Sequence, residues 1–259
     1  MRKIKEMLEA GEVINTFAVG RFTDPTLVEM FAFAGGHQAF WIDQEHVSSP
    51  SSAVYACAAA GRSHGLDCFV RMAPTGYSQV TQYLELGAGG VMAAQIYSAE
   101  QAKEFTSWAK FPPLGMRGLN TGGFDAGYAS QPPAEFVSTA NDRNFLAIQI
   151  ETAQSLEEAE EIASIEGVDL LFVGPSDLSM QLGVVGQFHS DELWGAIERV
   201  ATACKNTGKT WGAVVTDSEF CERAVALGCQ MPTMGNGVRC LKMGINAVKD
   251  AFPGRFPKE

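Results

Sequence analysis

Hydrophobic positions along the chain cluster into eight short runs, separated by longer segments in which polar and apolar residues mix. The runs are NTFAVG (15–20), AFWIDQEH (39–46), DCFVRM (67–72), GVMAAQI (90–96), FLAIQIE (145–151), VDLLFVG (168–174), TWGAVVT (210–216) and CQMPTMG (229–235). Short apolar runs of this kind predict buried strands.

The segments between these runs have the pattern of helices. Examples are SLEEAEEIASI (155–165) and DELWGAIERVATACKNTG (191–208), and DPTLVEMFAFAG (24–35) begins with Asp-Pro and ends at glycine, as helices do. Strands that alternate with helices imply parallel pairing through right-handed crossovers. Eight such units in 259 residues predict an α/β fold, a single (β/α)8 TIM barrel over residues 1–259. A doubly wound open sheet is the alternative, but no G-x-G-x-x-G follows the first strand.

Two long connections interrupt this rhythm. Residues 110–133 are rich in glycine, and a loop of that length in a compact domain is usually a lid or a binding loop. Residues 175–189 insert a short helix and a loop after the sixth strand. In SSPSS (48–52) we expect serine side chains to cap the start of a helix.

Composition narrows the class of protein. The formal net charge of −11 argues against nucleic acid as a partner, because phosphate binding needs clustered Lys and Arg. No apolar segment reaches the roughly 18 residues of a membrane helix, so we expect no membrane partner. The six cysteines form no C-x-x-C pair, and MRKIKEMLEAGEV lacks the apolar run of a signal peptide. A reducing, cytoplasmic location is the expectation.

Polar residues follow several of the predicted strands. Asp43, Glu45 and His46 end the second strand, Arg71 ends the third, and Gln149 and Glu151 end the fifth, while Gly174, Pro175, Ser176 and Asp177 follow the sixth. Because the carboxyl ends of parallel barrel strands meet at one mouth, we expect these groups to converge there. Side chains alternate along a strand, so Gln149 and Glu151 should share a face with Ala147, opposite the apolar Leu146, Ile148 and Ile150.

Two of these carboxylates predict a metal site. Glu151 and Asp177, from neighbouring strand ends, could hold a hard divalent cation through oxygen and leave positions for water and substrate. Taken singly, Asp177 could instead be a helix N-cap, and Glu151 could lie in the first turn of the next helix. Taken together, they favour metal binding.

The remaining strand-end residues suggest how a substrate would be held. Arg71 presents a planar fork that suits the carboxylate of a 2-oxo acid, although it could form a structural ion pair. Gln149 could orient a substrate oxygen, and His46 is a candidate base or proton relay. No lysine lies in a predicted strand or at its carboxyl end, which disfavours imine chemistry and leaves a metal as the electron sink. MGNGVR (234–239) is either an anion cradle or an ordinary turn.

These motifs resemble those of the HpcH/HpaI family of metal-dependent 2-oxo acid aldolases. The resemblance covers roughly residues 10 to 250, and it is strongest in WIDQEH, in GMRGLN, and in the segment from IQIET to GPSDLSMQLG. It implies a (β/α)8 barrel of the phosphoenolpyruvate/pyruvate-binding type. It also implies a homo-oligomer, usually a hexamer, in which the last helix is exchanged between neighbouring subunits.

The resemblance also implies roles for individual residues. Glu151 and Asp177 would bind Mg²⁺, Mn²⁺ or possibly Co²⁺. Pyruvate would be held by Arg71, by Gln149 and by backbone amides near Gly174 to Asp177, a segment that includes Pro175 and Ser176. His46, supported by Asp43, would handle a proton, with Glu85 in the place of a family aspartate. Gln44 stands where the family commonly has glycine and is expected to crowd the mouth, and Gly237 stands where the family often has aspartate.

The function that follows is reversible cleavage of a 4-hydroxy-2-oxo acid into pyruvate and an aldehyde, both small molecules. One alternative is oxaloacetate decarboxylation, with enolate chemistry similar to that of macrophomate synthase. A second alternative is a non-catalytic 2-oxo acid binding barrel, motivated by the departures at Gln44 and Glu85. Lyases that act on acyl-CoA are disfavoured because the sequence has no obvious basic patch for the nucleotide.

Overall fold

Eight parallel strands pair in chain order, and the eighth pairs with the first, which closes the sheet into a barrel. The computed structural model describes residues 1–256. The strands are β1 (Thr16–Val19), β2 (Ala39–Asp43), β3 (Asp67–Met72), β4 (Gly90–Ala93), β5 (Phe145–Ile150), β6 (Leu170–Val173), β7 (Thr210–Val214) and β8 (Cys229–Asn236). The predicted (β/α)8 barrel is confirmed, and the open-sheet alternative is wrong.

Helices fill the connections between the strands. They are α1 (Ile4–Glu9), α2 (Pro25–Ala34), α3 (Ser51–Ser63), α4 (Tyr77–Glu85), α5 (Ala99–Ala109), α6 (Pro133–Arg143), α7 (Ala153–Glu157), α8 (Ala159–Ser164), α9 (Pro175–Gln181), α10 (Asp191–Thr207), α11 (Ser218–Ala226) and α12 (Gly237–Ala251). The predicted starts of α2 and α10 are confirmed, and the Asp24 side chain caps α2 by accepting a hydrogen bond from the Thr26 amide.

The helical pattern predicted over 155–165 is confirmed, with one break. The segment is divided into α7 and α8 at Glu158, whose carboxylate accepts a 2.6 Å hydrogen bond from the Ala99 amide. The prediction of serine capping at 48–52 is wrong. No serine side chain caps α3, because its N-cap residue is Pro50. The hydroxyl of Ser49 instead donates to Thr23 Oγ1 at 2.7 Å.

Side-chain alternation along the strands builds two hydrophobic layers. Leu146, Ile148 and Ile150 of β5 face outward and pack in the layer between the sheet and the helices. Ala147 faces inward and packs with Phe172 and other residues inside the barrel. The predicted division of β5 into two faces is therefore confirmed, and Gln149 and Glu151 continue its inward face toward the mouth.

The first helix closes the end of the barrel opposite the mouth. Asp67, the first residue of β3, is buried and accepts a 3.1 Å hydrogen bond from the Ile4 amide and a 3.2 Å ion pair from Lys3 Nζ. Ile4 and Met7 join the cluster inside the barrel. Helix α1 thus covers the amino-terminal ends of the strands in the barrel interior.

The glycine-rich loop at 110–133 lies on the outer helical layer of its own barrel. Within it, Gly118 donates to the Tyr77 hydroxyl and Asn120 Nδ2 donates to Glu85 Oε2 at 2.8 Å. The Phe124 ring lies 3.7 Å from the Arg62 guanidinium carbon. Of the two predicted roles, a lid over the strand ends of the same chain is not observed, because the loop starts where α5 has returned to the amino-terminal end of the barrel. The role of a binding loop stays a prediction.

Helix α12 leaves an apolar stripe uncovered. Leu241, Ile245, Val248 and Phe252, at the spacing of one helical face, are 48–59% exposed. None of the helices in residues 1–256 combines the length and the apolar character needed to cross a bilayer. The stripe is therefore a surface that another protein chain could cover.

Candidate active site

The carboxyl ends of the strands surround a cavity of about 230 Å³, which we call the mouth cavity. Its lining is Ala18, Trp41, His46, Arg71, Gln149, Gly174, Pro175, Ser176, Asp177, Val214, Val215, Thr233, Gly235, Asn236 and Arg239. Most of the predicted site residues therefore come together. Glu85 is not among them, because it ends α4 and bonds to the 110–133 loop.

Arg71 is fixed at the mouth by two carboxylates and an aromatic ring. Its Nε and Nη2 lie 3.2 and 2.9 Å from the two oxygens of Asp43, its partner in the β2–β3 register, and its Nη1 lies 3.2 Å from Glu45 Oε2. Its guanidinium carbon lies 4.6 Å from the centre of the Trp41 ring. The structure thus shows the ion-pair role, and within residues 1–256 only the Nε–H bond of Arg71 is used in a hydrogen bond.

Asp43 also shapes the turn that presents His46. Its Oδ1 accepts hydrogen bonds from the backbone amides of Glu45 at 3.0 Å and His46 at 3.3 Å. His46 Nε2 lies 3.7 Å from Glu45 Oε2, and the imidazole is 56% exposed. Gln44 does not crowd the mouth as expected, because its side-chain oxygen accepts from the Tyr83 hydroxyl at 3.3 Å on the outer side of the strand.

Glu151 is a buried carboxylate without a cationic partner in the described chain. Its Oε1 accepts from the backbone N–H and Nε2 of Gln95, at 2.8 and 3.1 Å, and its Oε2 accepts from Gln149 Nε2. Burial raises the pKa of Glu151 from 4.5 to about 7; the hydrogen bond from the Gln95 amide opposes this rise, and the charges of Glu45 and Asp177 add to it. Neutral hydrogen bonds therefore leave part of its charge uncompensated.

Gly174 and α9 bring Asp177 beside this carboxylate. A Cβ atom on Gly174 would lie 2.5 Å from Glu151 Oε2 and 2.7 Å from Gln149 Nε2, so a larger residue there would displace both side chains. Asp177 lies in the first turn of α9 but caps nothing, and Glu151 precedes Thr152, the N-cap of α7. Neither capping alternative from the sequence is observed.

The residues at this site suit an oxygen-ligated divalent cation. Across residues 1–256 no three His, Cys, Asp or Glu side chains are grouped for ligation, so the protein offers two carboxylates. Mg²⁺ commonly binds through one or two carboxylates and takes its other ligands from water and substrate. Burial and the charges of two neighbouring carboxylates disfavour the ionised form of Glu151, and a bound cation would compensate that negative charge. The donor set and the charge both fit such an ion.

Three residues contribute contacts to the site that the sequence did not predict. Gln95 donates twice to Glu151 because β4 ends at Ala93 and the backbone then turns through a φ of 54° at Gln95. Glu45 was placed at the strand end but not in the site. Trp41 supports Arg71 and donates from Nε1 to Thr233 Oγ1 at 3.1 Å. In the sequence, a glutamine at the end of an apolar run is only a weak indication of a site residue. The contact with Glu151 depends on the positive φ of Gln95, which the sequence does not show.

The segment MGNGVR forms the start of α12. The Asn236 side chain caps the helix by accepting from the Arg239 amide at 2.9 Å. A Cβ atom on Gly237 would lie 2.9 Å from Leu27 Cδ2 and 3.0 Å from Phe22 Cδ2, so a larger residue there would push these two side chains aside.

No lysine lines the mouth cavity in the described part of the chain. Lys110 is buried, its Nζ donates to the carbonyls of Asn141 and Asn144 at 3.0 and 2.9 Å, and burial lowers its pKa to about 8. Asn144 precedes β5 whereas Glu151 follows it, so this amine lies at the opposite end of the barrel. Lys110 is therefore not placed to react with a substrate in the mouth cavity.

Known proteins are similar to this chain in both sequence and architecture. The family described as HpcH/HpaI aldolase/citrate lyase matches residues 24–241. A 4-hydroxy-4-methyl-2-oxoglutarate aldolase of Chaetomium globosum is 34% identical over 213 residues, covering 78% of this chain and 76% of the relative. A hydroxypyruvate/pyruvate aldolase of Pseudomonas aeruginosa is 26% identical over 257 residues, with 99% and 95% covered. The crystal structure of an HpcH/HpaI aldolase from Desulfitobacterium hafniense superposes with a TM-score of 0.91 at 29% identity, covering 99% of this chain and all of the other. Because the matched segment spans most of the sequence and all eight strands lie in the shared barrel, the chain belongs to the HpcH/HpaI aldolase/citrate lyase family.

Proposed function

We propose that this chain is a divalent-metal-dependent aldolase that reversibly cleaves a 4-hydroxy-2-oxo acid into pyruvate and an aldehyde. The observation that carries the proposal is the environment of Glu151. This buried carboxylate is repelled by the charges of Asp177 and Glu45, and all of its hydrogen-bond donors are neutral. The family is generally dependent on divalent metals, and the relatives described above are aldolases by name. With a divalent cation bound between its carboxylates, a site of this kind would stabilise negative charge that develops on a substrate oxygen.

The proposed binding of the 2-oxo acid uses groups that line the mouth cavity. The Nη N–H bonds of Arg71, which make no hydrogen bond within residues 1–256, would bind the carboxylate of the substrate. Gln149 Oε1 is buried and has no hydrogen-bond partner within residues 1–256, so it is available to a substrate hydroxyl or to water. Ser176 and Asp177 lie in the first turn of α9, where backbone N–H groups have no partner inside the helix.

In the proposed reaction His46 accepts the proton of the C4 hydroxyl. The C3–C4 bond then breaks, C4 becomes the carbonyl carbon of the aldehyde, and the electron pair passes to the pyruvate fragment. The protonated His46 returns its proton to C3 of that fragment, directly or through water, and is neutral again. A divalent ion held by Glu151 and Asp177 would act as a Lewis acid toward the oxygen on which charge develops. Asp43 positions His46 and Arg71 for this step, because its carboxylate accepts hydrogen bonds from the His46 amide and from Arg71 Nε.

We further propose that the protein works as a homo-oligomer, with a hexamer expected from the family. The stripe of Leu241, Ile245, Val248 and Phe252 would pack on a second copy of the chain, since nothing in residues 1–256 covers it. Glu85 reaches no mouth residue within its own chain, so its predicted catalytic role requires a neighbouring copy.

A pyruvate-release assay tests the proposed activity. The wild-type protein is expected to release pyruvate from 4-hydroxy-2-oxo acids with Mg²⁺ or Mn²⁺, and to lose that activity with excess EDTA. Glu151→Gln and Asp177→Asn should each lower kcat by orders of magnitude, because several kcal/mol of charge stabilisation is lost. Glu135→Gln, on the exposed face of α6, is the matched control.

Oxaloacetate is a second substrate in the same assay. Faster pyruvate release from oxaloacetate than from any 4-hydroxy-2-oxo acid would reassign the site to decarboxylation. Full turnover in excess chelator, or undiminished activity of folded Glu151→Gln, would overturn the metal-dependent mechanism.

A further inference from the structure

Trp41 is the largest apolar side chain that lines the mouth cavity. It lies on β2, it is only 4% exposed, and its indole belongs to the cluster inside the barrel. Its register partner on β1 is Ala18, which also lines the cavity but has a side chain of one carbon. The indole is therefore the bulkiest part of this wall of the cavity.

Contacts on the edge and on the face of the indole hold it in one position. Its Nε1–H donates to Thr233 Oγ1 at 3.1 Å, and the Thr233 hydroxyl lies 2.7 Å from Thr16 Oγ1, which donates to the Pro232 carbonyl at 3.3 Å. The Arg71 guanidinium carbon lies 4.6 Å from the centre of the ring. A turn of the ring would leave its N–H without a partner in a buried place, so the indole is a rigid wall.

The indole lies across the barrel from the proposed metal ligands. Since the eight strands close in chain order, β1 lies opposite β5 and β2 lies opposite β6. Glu151 directly follows β5, and Asp177 lies in α9, directly after β6. The cavity therefore has carboxylates on one side and its largest apolar side chain on the other.

The groups of a 2-oxo acid differ in the same way. Its carboxylate and keto oxygens suit Arg71 and the proposed cation site, whereas the group at C3 is apolar and gains from contact with an apolar surface. In the proposed reaction His46, which follows β2, returns a proton to C3. The group at C3 is therefore expected beside β2, against the indole.

We propose that Trp41 is a specificity-determining residue that limits the size of the group at C3 of the 2-oxo acid. Pyruvate, with a methyl group, would fit against the indole, whereas 2-oxobutyrate, with one more carbon, would press on it. A rigid neighbour cannot make room for the extra carbon without strain in its own side-chain angles. The inference rests on the proposed aldolase function, because it requires that the mouth cavity binds 2-oxo acids.

Exchange of C3 protons for deuterium in D₂O compares the two acids without any aldehyde. Proton NMR gives kcat/KM for each acid, per C3 proton, in the presence of Mg²⁺. A proton leaves C3 and a deuteron from solvent takes its place, so the acid is otherwise unchanged. Wild-type protein is expected to favour pyruvate by about 10- to 200-fold, the range for one extra methylene in a close-fitting pocket.

Two variants at Trp41 test the size limit. Trp41→Leu should raise the ratio of kcat/KM for 2-oxobutyrate to that for pyruvate by about tenfold or more, because the smaller side chain leaves room for the extra carbon. Trp41→Phe keeps an aromatic ring beside Arg71 and should raise this ratio by at least about threefold. A purely structural role in supporting Arg71 would lower kcat/KM for both acids and leave the ratio unchanged.

Trp211→Leu is the matched control. Trp211 is also a buried tryptophan on a strand, and its Nε1 donates to the Leu227 carbonyl at 3.3 Å, but it lies outside the mouth cavity. This variant should leave the ratio unchanged. The inference is overturned by an equal rise of the ratio in Trp211→Leu. It is also overturned by an unchanged ratio in folded Trp41→Leu, or in Trp41→Phe where Trp41→Leu does not fold.

Exchange by the wild-type protein separates this inference from the function on which it rests. If Mg²⁺-dependent exchange of 2-oxobutyrate is as fast as that of pyruvate, the result refutes only the role of Trp41. Absence of Mg²⁺-dependent exchange with both acids refutes the proposed function and this inference with it.

Discussion

Binding of a divalent ion at the mouth should release a proton from Glu151. Burial raises the pKa of this carboxyl to about 7, so at pH 6 about nine-tenths of the metal-free protein carries the proton and at pH 8 about one-tenth does. A metal ligand must be deprotonated, so binding displaces about 0.9 proton at pH 6 and about 0.1 at pH 8. The apparent Kd for Mn²⁺ should therefore be about tenfold weaker at pH 6 than at pH 8, a difference of about 1.4 kcal/mol.

Isothermal titration calorimetry of the EDTA-stripped protein measures this proton release. Titrations with Mn²⁺ in two buffers that differ in ionisation enthalpy give the number of protons released at each pH. Glu135→Gln should behave as wild type, whereas Glu151→Gln should bind weakly and release no proton at pH 6. Equal proton release at pH 6 and pH 8, or unchanged release from Glu151→Gln, would refute the assignment of Glu151 as a buried metal ligand.

Three further predictions concern Glu151, its donor Gln95 and the apolar stripe of α12. In metal-free protein the stabilising contribution of protonated Glu151 is full below pH 4.5 and is lost as pH rises to about 7, because the pKa is higher in the folded state than in the unfolded state. Urea unfolding should show that the free energy of unfolding falls by about 3 kcal/mol over that range. The variant Glu151→Gln should not show this fall. Gln95→Ala removes the 3.1 Å Nε2 bond to Glu151 and should weaken Mn²⁺ binding about tenfold by calorimetry, with little change in thermal midpoint. Leu241→Asp combined with Ile245→Asp should reduce the mass measured by light scattering to that of one chain, whereas an unchanged mass would refute α12 as an oligomer contact.

The barrel could be predicted from sequence because its determinants are local. Each strand is a short apolar run, and the alternation within β5 places Gln149 and Glu151 on the inward face whatever the rest of the fold does. Strand-end residues then converge because parallel strands in a closed barrel share one mouth. The ion pair between Asp43 and Arg71 follows from their being register partners on β2 and β3.

Features that depend on tertiary contacts could not be predicted in this way. Gln95 reaches Glu151 only because its backbone has a positive φ, which no residue type near it indicates. The break between α7 and α8 forms at Glu158, whose carboxylate bonds to Ala99 from a different βα unit. The path of the 110–133 loop along α4 is fixed by single bonds to Tyr77 and Glu85, and glycine content alone does not reveal it.

Deuterium exchange into the methyl group of pyruvate tests the central claim most directly, because it needs the metal and pyruvate groups but no aldehyde. Proton NMR of pyruvate in D₂O should show loss of the methyl signal with wild-type protein and Mg²⁺. The exchange should stop with excess EDTA and should be abolished in Glu151→Gln. Exchange at the wild-type rate in the chelator, or in folded Glu151→Gln, would contradict a site in which Glu151 and Asp177 hold the ion that stabilises the enolate.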